Sequence, residues 1–557
     1  MKHEIKNYIF IVLLGALFFL PFLGEVHLFD WDEINFAEAA REMIKTGDYL
    51  NVRIDYEPFH EKPPLFIWTQ VVSMYIFGIN EFAARFPNAI IGIISLVFIY
   101  AAGRNIFNEK FGLLWVLAYI GSLLPHFYFK SGIIDPLFNL FMFTSVFFIL
   151  KYSNAKEGLN PESKTGLILL ASILCSMAVM TKGPVGFLLV FLTWFIFWIF
   201  RRTRQKFPLL EMSIFTAISF IPIIIWYALV LPGAGFEIVR EFIGYQIRLL
   251  TTGDAGHSGP FYYHFVVLFF GVFPASMFIF SAFKNKAGDM PNQKNLKLIS
   301  IILLCVVLVI FSIVQTKIIH YSSLAYYPIT FLAAYTIYHV IYRQGKWKKH
   351  FTIMVIAVGL ILSLSFTAFP IIMYNIDSVI PKISDRFTKE LLKTEVRWSG
   401  YEFLTGIFYF IFILASFIYI IRKEYLKTVI SLFGSTAIIV FMVLSVLAPK
   451  IEPYTQGAPI DFYTTLKGKD VYVEPLGYKS YAHLFYTKKP PYLSQYISEK
   501  IPNDVKFRDW LLEGDINRDA YFVAKNKKAD KYIENYDLEV LYRKGGFVFM
   551  KRNKPKD

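Results

Sequence analysis

The sequence predicts an all-α polytopic membrane protein with about 13 transmembrane helices, followed by a small C-terminal α/β domain outside the membrane. Three observations predict this. Hydrophobic residues make up 55% of the 557-residue chain and charged residues only 18%, against roughly 25% charged in soluble domains. Apolar runs approaching the roughly 20 residues that a spanning helix needs recur from the N-terminus to about residue 448. From Pro449 onward the composition turns soluble.

In order, the expected spans are 8–24, 84–106, 112–129, 133–151, 166–181, 184–200, 210–231, 261–283, 297–316, 321–342, 351–374, 402–421 and 427–448. Lys2 and Lys6 precede the first run, which is long and lacks a small-residue cleavage site, so it reads as an uncleaved span. Leu65 to Gly78 is short and follows Pro63-Pro64, and it reads as an interfacial helix with Trp68 and Tyr75 at headgroup level.

Charge placement supports that choice. With the N-terminus in the cytoplasm, the inner loops carry Arg104 and Lys110, Lys151 to Lys164, the 201–206 cluster, Lys284 to Lys297, Arg343 to Lys349, and Arg422 to Lys427. Counting 65–78 as a span would put these basic loops outside. The net charge of +15 is therefore an orientation signal plus an excess in the tail, and does not indicate nucleic-acid binding. Cys175 and Cys305 both lie in apolar runs and read as small core residues.

The domain organisation expected is a membrane unit over 1–448, with an outer loop at 25–83, and a soluble unit over 449–557. In the tail, 470–478, 521–525 and 540–551 read as strands, the last a hairpin turning at Gly545-Gly546. Residues 507–514 and 528–536 read as helices. The tail holds no recognisable catalytic motif.

Candidate chemistry gathers on the outer face. Asp32 opens a helix expected to run to Thr46 with Gly47 as its stop. Asp30-Trp31-Asp32-Glu33 has the look of a capping box, which accounts for one of the two aspartates but hardly both. The other reading makes Asp32 a general base at the membrane surface. Lys62, in Glu61-Lys62-Pro63-Pro64, is held at the boundary by rigid prolines, placed to meet a lipid phosphate or simply to snorkel. Asp135-Pro136 is an ordinary helix start, yet it shares the outer face with Asp32 and is an ionisable group at a membrane boundary.

Lys62, Lys182, Arg248 and Lys317 all lie outside, against the positive-inside trend, so an anionic partner such as a phosphate is expected. His257, His264 and His320 are conceivable metal ligands with Glu61, although no pair has HxxxH spacing. Walker loops, strand-borne GxGxxG and GxSxG are absent, which removes nucleotide-driven transport and soluble-type hydrolysis. A lipid-linked sugar transporter or flippase is the rival class; it calls for polar residues at mid-bilayer and internal repeats, neither of which is evident.

The motifs EKPPL (61–65), RFPNAI (85–90), KSGIIDPLF (130–138), MTKGPVGFLL (180–189) and KIIHYSSLAYYP (317–328) resemble those of the GT-C integral membrane glycosyltransferases. The similarity is to the family 39 protein mannosyltransferase-like and aminoarabinose transferase-like (ArnT-like) enzymes, over roughly residues 5–345. The resemblance implies a GT-C fold, a polyprenyl-phosphate sugar donor and inverting transfer to a hydroxyl of a lipid, glycan or protein acceptor, in a bacterial plasma membrane. It implies Asp32 as catalytic carboxylate and Asp135 as the second acid. Lys62 and Arg248 would hold the donor phosphate with Tyr321, and Glu61 would join a divalent metal. The sequence departs from that pattern before Arg248, where Gly244-Tyr245-Gln246-Ile247 lacks a histidine beside the arginine.

Overall fold

The computed structural model describes residues 2–59, 61–159, 161–203, 206–253, 258–284, 286, 288–498, 501–502 and 505–555. His60, which precedes the Glu61-Lys62 pair, and His257 lie outside the described residues.

The membrane part is a bundle of helices. Among the described residues nine helices are long and apolar enough to cross a membrane, or ten if the pair Tyr263–Gly271 and Ala275–Ser281, bent by 110°, is one span. All thirteen expected spans coincide with helical segments, but besides that bent pair three more depart from a full apolar span. Lys2–Phe19 carries Lys2, Glu4 and Lys6 at its start. Val185–Arg201 has 17 residues. The 112–129 run is split into Glu109–Ile120 and Leu123–Tyr128. The split falls at Gly121, where an added Cβ would lie 2.5 Å from the Phe433 carbonyl oxygen, so the crossing helix Tyr425–Met442 leaves room for glycine only.

The 25–83 loop is built as expected at its first end. The helix Asp32–Thr46 stops at Gly47, whose φ of 71° lets its N–H reach the Met43 carbonyl. A two-residue antiparallel ladder, Arg53–Ile54 with Glu57–Pro58, then leads to Pro63-Pro64 and the helix Leu65–Phe77. That short helix buries Phe66, Ile67 and Met74, and packs on the helices Asp32–Thr46, Glu81–Ile106 and Lys164–Lys182. Val72, Tyr75 and Ile76 remain exposed.

The C-terminal part forms a four-stranded sheet. Tyr472–Leu476 pairs in parallel with Ala520–Lys525, which pairs antiparallel with Phe547–Arg552, and that strand pairs antiparallel with Glu539–Lys544. The hairpin turns at Gly545 and Gly546, both at positive φ, and the helices Phe507–Glu513 and Asn526–Asn535 complete the α/β unit.

This unit is seated on the 25–83 loop. Arg41 is fully buried, bonded to Glu38 through Nε at 2.7 Å, and its Nη2 donates to the Lys489 carbonyl at 3.1 Å. Tyr56 donates to the same carbonyl at 2.7 Å, and the Leu28 N–H donates to the Tyr486 hydroxyl at 2.8 Å. Buried polar groups are costly unless bonded, so these bonds fix the seating of the two parts.

Candidate active site

Asp32 lies at the first turn of its helix, and the capping reading fails there. Trp31 precedes the helix without any side-chain cap bond. Asp30 instead turns towards the C-terminal unit: its carboxylate accepts from the Ser480 hydroxyl and from the Tyr481 N–H at 3.4 Å. Burial pushes the Asp30 carboxyl above its ordinary range, although both bonds oppose this. With Asp30 engaged elsewhere, Asp32 faces a cavity. Its side chain is 40% exposed, and its Oδ2 lies 3.3 Å from His320 Nε2.

Asp135 starts the helix Asp135–Lys156 with Pro136 in its first turn, and is buried. Its Oδ1 receives Lys182 Nζ at 2.6 Å, while its Oδ2 lies 3.8 Å from His320 Nε2 and has no hydrogen bond. Lys182 is the last residue of the helix Lys164–Lys182, a position that favours a cation. Gly183 then takes a φ of 94° that side chains avoid, and Pro184 leads into the next helix. This tight turn aims Lys182 at Asp135 and sets its ammonium 5.0 Å from the centre of the Tyr321 ring. Asp32, His320, Asp135 and Lys182 thus form one charged array drawn from four segments.

A second group lies elsewhere in the same cavity. Lys62 Nζ donates to the Tyr245 hydroxyl at 2.9 Å and sits 4.1 Å from that ring's centre. Arg248, one turn further along the helix Glu237–Thr251, packs its guanidinium 5.2 Å from the same ring and places Nη2 3.4 Å from Glu61 Oε1. The cavity has a volume of about 590 Å³, and its lining includes Asp32, Glu61, Lys62, Lys182, Tyr245, Arg248, His320 and Tyr321. Three cations from separate elements in one cavity suit a phosphate, which accepts several charge-assisted bonds at once.

One sequence expectation is corrected. Lys317 does not line the cavity: its buried ammonium donates to the Phe311, Ser312 and Val314 carbonyls, closing the C-terminus of the helix Pro291–Ile313. Of the residues expected around a metal, Glu61 faces the Arg248 guanidinium, His264 bonds the Ser322 hydroxyl at 3.0 Å and His257 lies outside the described residues, among which no three His, Cys, Asp or Glu side chains form a group able to hold a metal.

The structure also adds residues that sequence reasoning did not place here. His320 was weighed only as a metal ligand, although its position next to Tyr321 was a usable signal. Tyr245 organises both Lys62 and Arg248. Lys479 and Tyr481 reach the cavity from the C-terminal unit. Lys479 sits 4.9 Å from the Trp31 ring and 5.2 Å from the Tyr481 ring, and nothing in the tail's sequence pattern announced it.

The site can be set beside known proteins. A family model described as dolichyl-phosphate-mannose-protein mannosyltransferase matches residues 61–226. The chain is 24% identical over 339 residues to the undecaprenyl phosphate-alpha-4-amino-4-deoxy-L-arabinose arabinosyl transferase of Pectobacterium carotovorum, covering 59% of each protein. It is 28% identical over 276 residues to the protein of the same name from Yersinia enterocolitica, covering 47% of each. The matched region thus spans about half to three-fifths of these relatives. In structure, the chain superposes on ArnT from Cupriavidus metallidurans in the apo state with a TM-score of 0.76 at 17% identity, covering 99% of this chain and 98% of that one. Against ArnT bound to undecaprenyl phosphate the TM-score is 0.75, covering 98% and 97%. At this identity the likeness is one of fold, and it bears out the expected GT-C architecture.

Proposed function

We propose that this ArnT-like membrane protein is an inverting glycosyltransferase that moves a sugar from a polyprenyl-phosphate donor to an acceptor hydroxyl. The observation that carries the reading is a single cavity that holds the Asp32 carboxylate together with the cations Lys62 and Arg248. A polyprenyl phosphate is a good leaving group, so it needs positive charge more than it needs an acid. Lys62 and Arg248 stabilise the charge that grows on the phosphate oxygen as the bond to the anomeric carbon breaks. The acceptor oxygen attacks from the opposite face, and Asp32 takes its proton. General-base help of this kind is worth roughly 10²–10⁴-fold.

The protein is read as a multi-pass protein of a bacterial plasma membrane, with its N-terminus in the cytoplasm, its 449–557 unit outside, and 1–448 as the catalytic unit. Basic inner loops support that orientation. The acceptor is a lipid such as lipid A, another glycan or a protein. The names of the relatives make undecaprenyl-phosphate-linked 4-amino-4-deoxy-L-arabinose the first donor to test.

The test uses purified full-length protein with a panel of undecaprenyl-phosphate sugars and membranes from a host strain lacking the protein as acceptor. Acceptor-dependent release of free undecaprenyl phosphate is expected, and lost in Asp32→Asn. Movement of the donor across proteoliposomes without release would support the transporter reading instead.

A further inference from the structure

His320 holds an unusual position in the array. It lies in the short 3₁₀ segment Ile319–Ala325 that leads into the helix Tyr326–Tyr342. Its side chain is only 15% exposed, yet it lines the cavity. One ring nitrogen, Nε2, faces two carboxylates from different elements, Asp32 at 3.3 Å and Asp135 at 3.8 Å. An N–H on this nitrogen would stand between two acceptor carboxylates.

The surrounding groups come from several elements. Asp32 comes from the helix Asp32–Thr46 and Asp135 from the helix Asp135–Lys156. Lys182 from the helix Lys164–Lys182 bonds Asp135 Oδ1 alone. The Tyr321 ring stands 5.4 Å from the His320 ring, and the Tyr128 and Tyr326 phenols lie within electrostatic reach of Asp135. Lys182 bonds Asp135, and among the described residues His320 is the ion-pair partner of Asp32.

We infer that His320 is the positioning residue of the proposed transfer: its Nε2 holds one Asp32 oxygen from the side of Asp135, so that the other faces the acceptor. In the transfer the acceptor O–H bond breaks and its proton goes to Asp32. The oxygen's electron pair forms the bond to the anomeric carbon, and the carbon–oxygen bond to the lipid phosphate breaks with its electrons left on the phosphate. His320 forms no bond to either substrate. This inference rests on the transferase reading, and it adds a residue that orients the base.

The test compares the wild type with His320→Gln, which retains an N–H donor, and His320→Ala. Each is assayed with an undecaprenyl-phosphate sugar and deletion-strain membranes across pH. Two controls are donor binding and the size-exclusion profile in detergent, both expected to match the wild type for the Gln variant. At the pH optimum the Ala variant is expected to fall about tenfold or more in rate, the low end of a general-base contribution. The decisive readout is rescue by the conservative variant: Gln, which keeps an N–H donor, is expected to recover much of the rate that Ala loses, with donor binding intact in both. A Gln variant as slow as Ala overturns the inference, as does an Ala variant at the wild-type rate. An inactive Asp32→Asn alongside either result leaves the transferase reading standing, whereas fully active Asp32→Asn removes both.

Discussion

Asp32 and Glu33 are neighbours in the chain, carry the same charge and start the same helix, yet they have opposite fates. Glu33 is buried in a closed knot. It accepts from Arg85 Nε at 2.9 Å and Nη2 at 2.7 Å, and from the backbone N–H groups of Phe29 and Gly132. Arg85 in turn donates to the Leu23, Val26 and His27 carbonyls. Burial opposes ionisation of Glu33, and the Arg85 guanidinium overrides it, holding the carboxyl below its ordinary range. Asp32 lines the cavity with its side chain 40% exposed, and among the described residues its one ion-pair partner is His320. A carboxylate with every lone pair occupied joins the first span to the helix Glu81–Ile106. One with open lone pairs beside a cavity is available for proton transfer.

The contrast can be broken from either side. Arg85→Ala strands a buried carboxylate, and removing one partner of a buried pair costs about 3–5 kcal/mol. The expected outcome is the largest of the set: loss of folded protein from the membrane, or a steep drop in the midpoint of a thermal aggregation assay. Normal stability in that variant would show that the knot is not structural. Asp32→Asn is expected to leave that midpoint unchanged while lowering transfer by about 10²–10⁴-fold, read as release of undecaprenyl phosphate.

Lys62→Ala sharpens the division between base and phosphate site. Loss of a hydrogen bond to a charged group costs about 1.5–3 kcal/mol, so donor affinity should fall roughly ten- to a hundredfold, with binding of undecaprenyl phosphate as the direct measurement. Unchanged affinity would move the phosphate elsewhere in the cavity. The smallest effect is expected at Lys479→Ala, where an exposed cation–π contact is worth about 0.5–1 kcal/mol. A few-fold change in acceptor-dependent rate with donor binding intact would mark the C-terminal unit as part of the acceptor side.

Much of this was legible in the chain, for reasons that differ from place to place. The helix from Asp32 to Thr46 with its Gly47 stop, the Lys182-Gly183-Pro184 turn and the strands of the tail are local, because backbone preference and turn chemistry act within a few residues. Lys62, Lys182, Arg248 and Asp32 stand out as charged groups on the expected outer side of an apolar chain, Tyr321 only through the family resemblance, and the five do share a cavity. Lys317 stood out in the same way and was misjudged. Whether an ammonium faces a cavity or caps the carbonyls of the preceding helix depends on how a six-residue turn folds back, and charge pattern does not encode that.

What the sequence determined by itself was the membrane class, the α/β tail and the segments that carry the chemistry, because hydrophobic length and short-range propensity are properties of contiguous residues. Only the tertiary structure decided which carboxylate is structural and which is free. It also brought His320 against Asp32 across 288 positions of sequence and the 479–481 loop against Trp31. Those outcomes depend on which groups remain for a buried charge to bond with once the helices have packed, and that is settled in three dimensions.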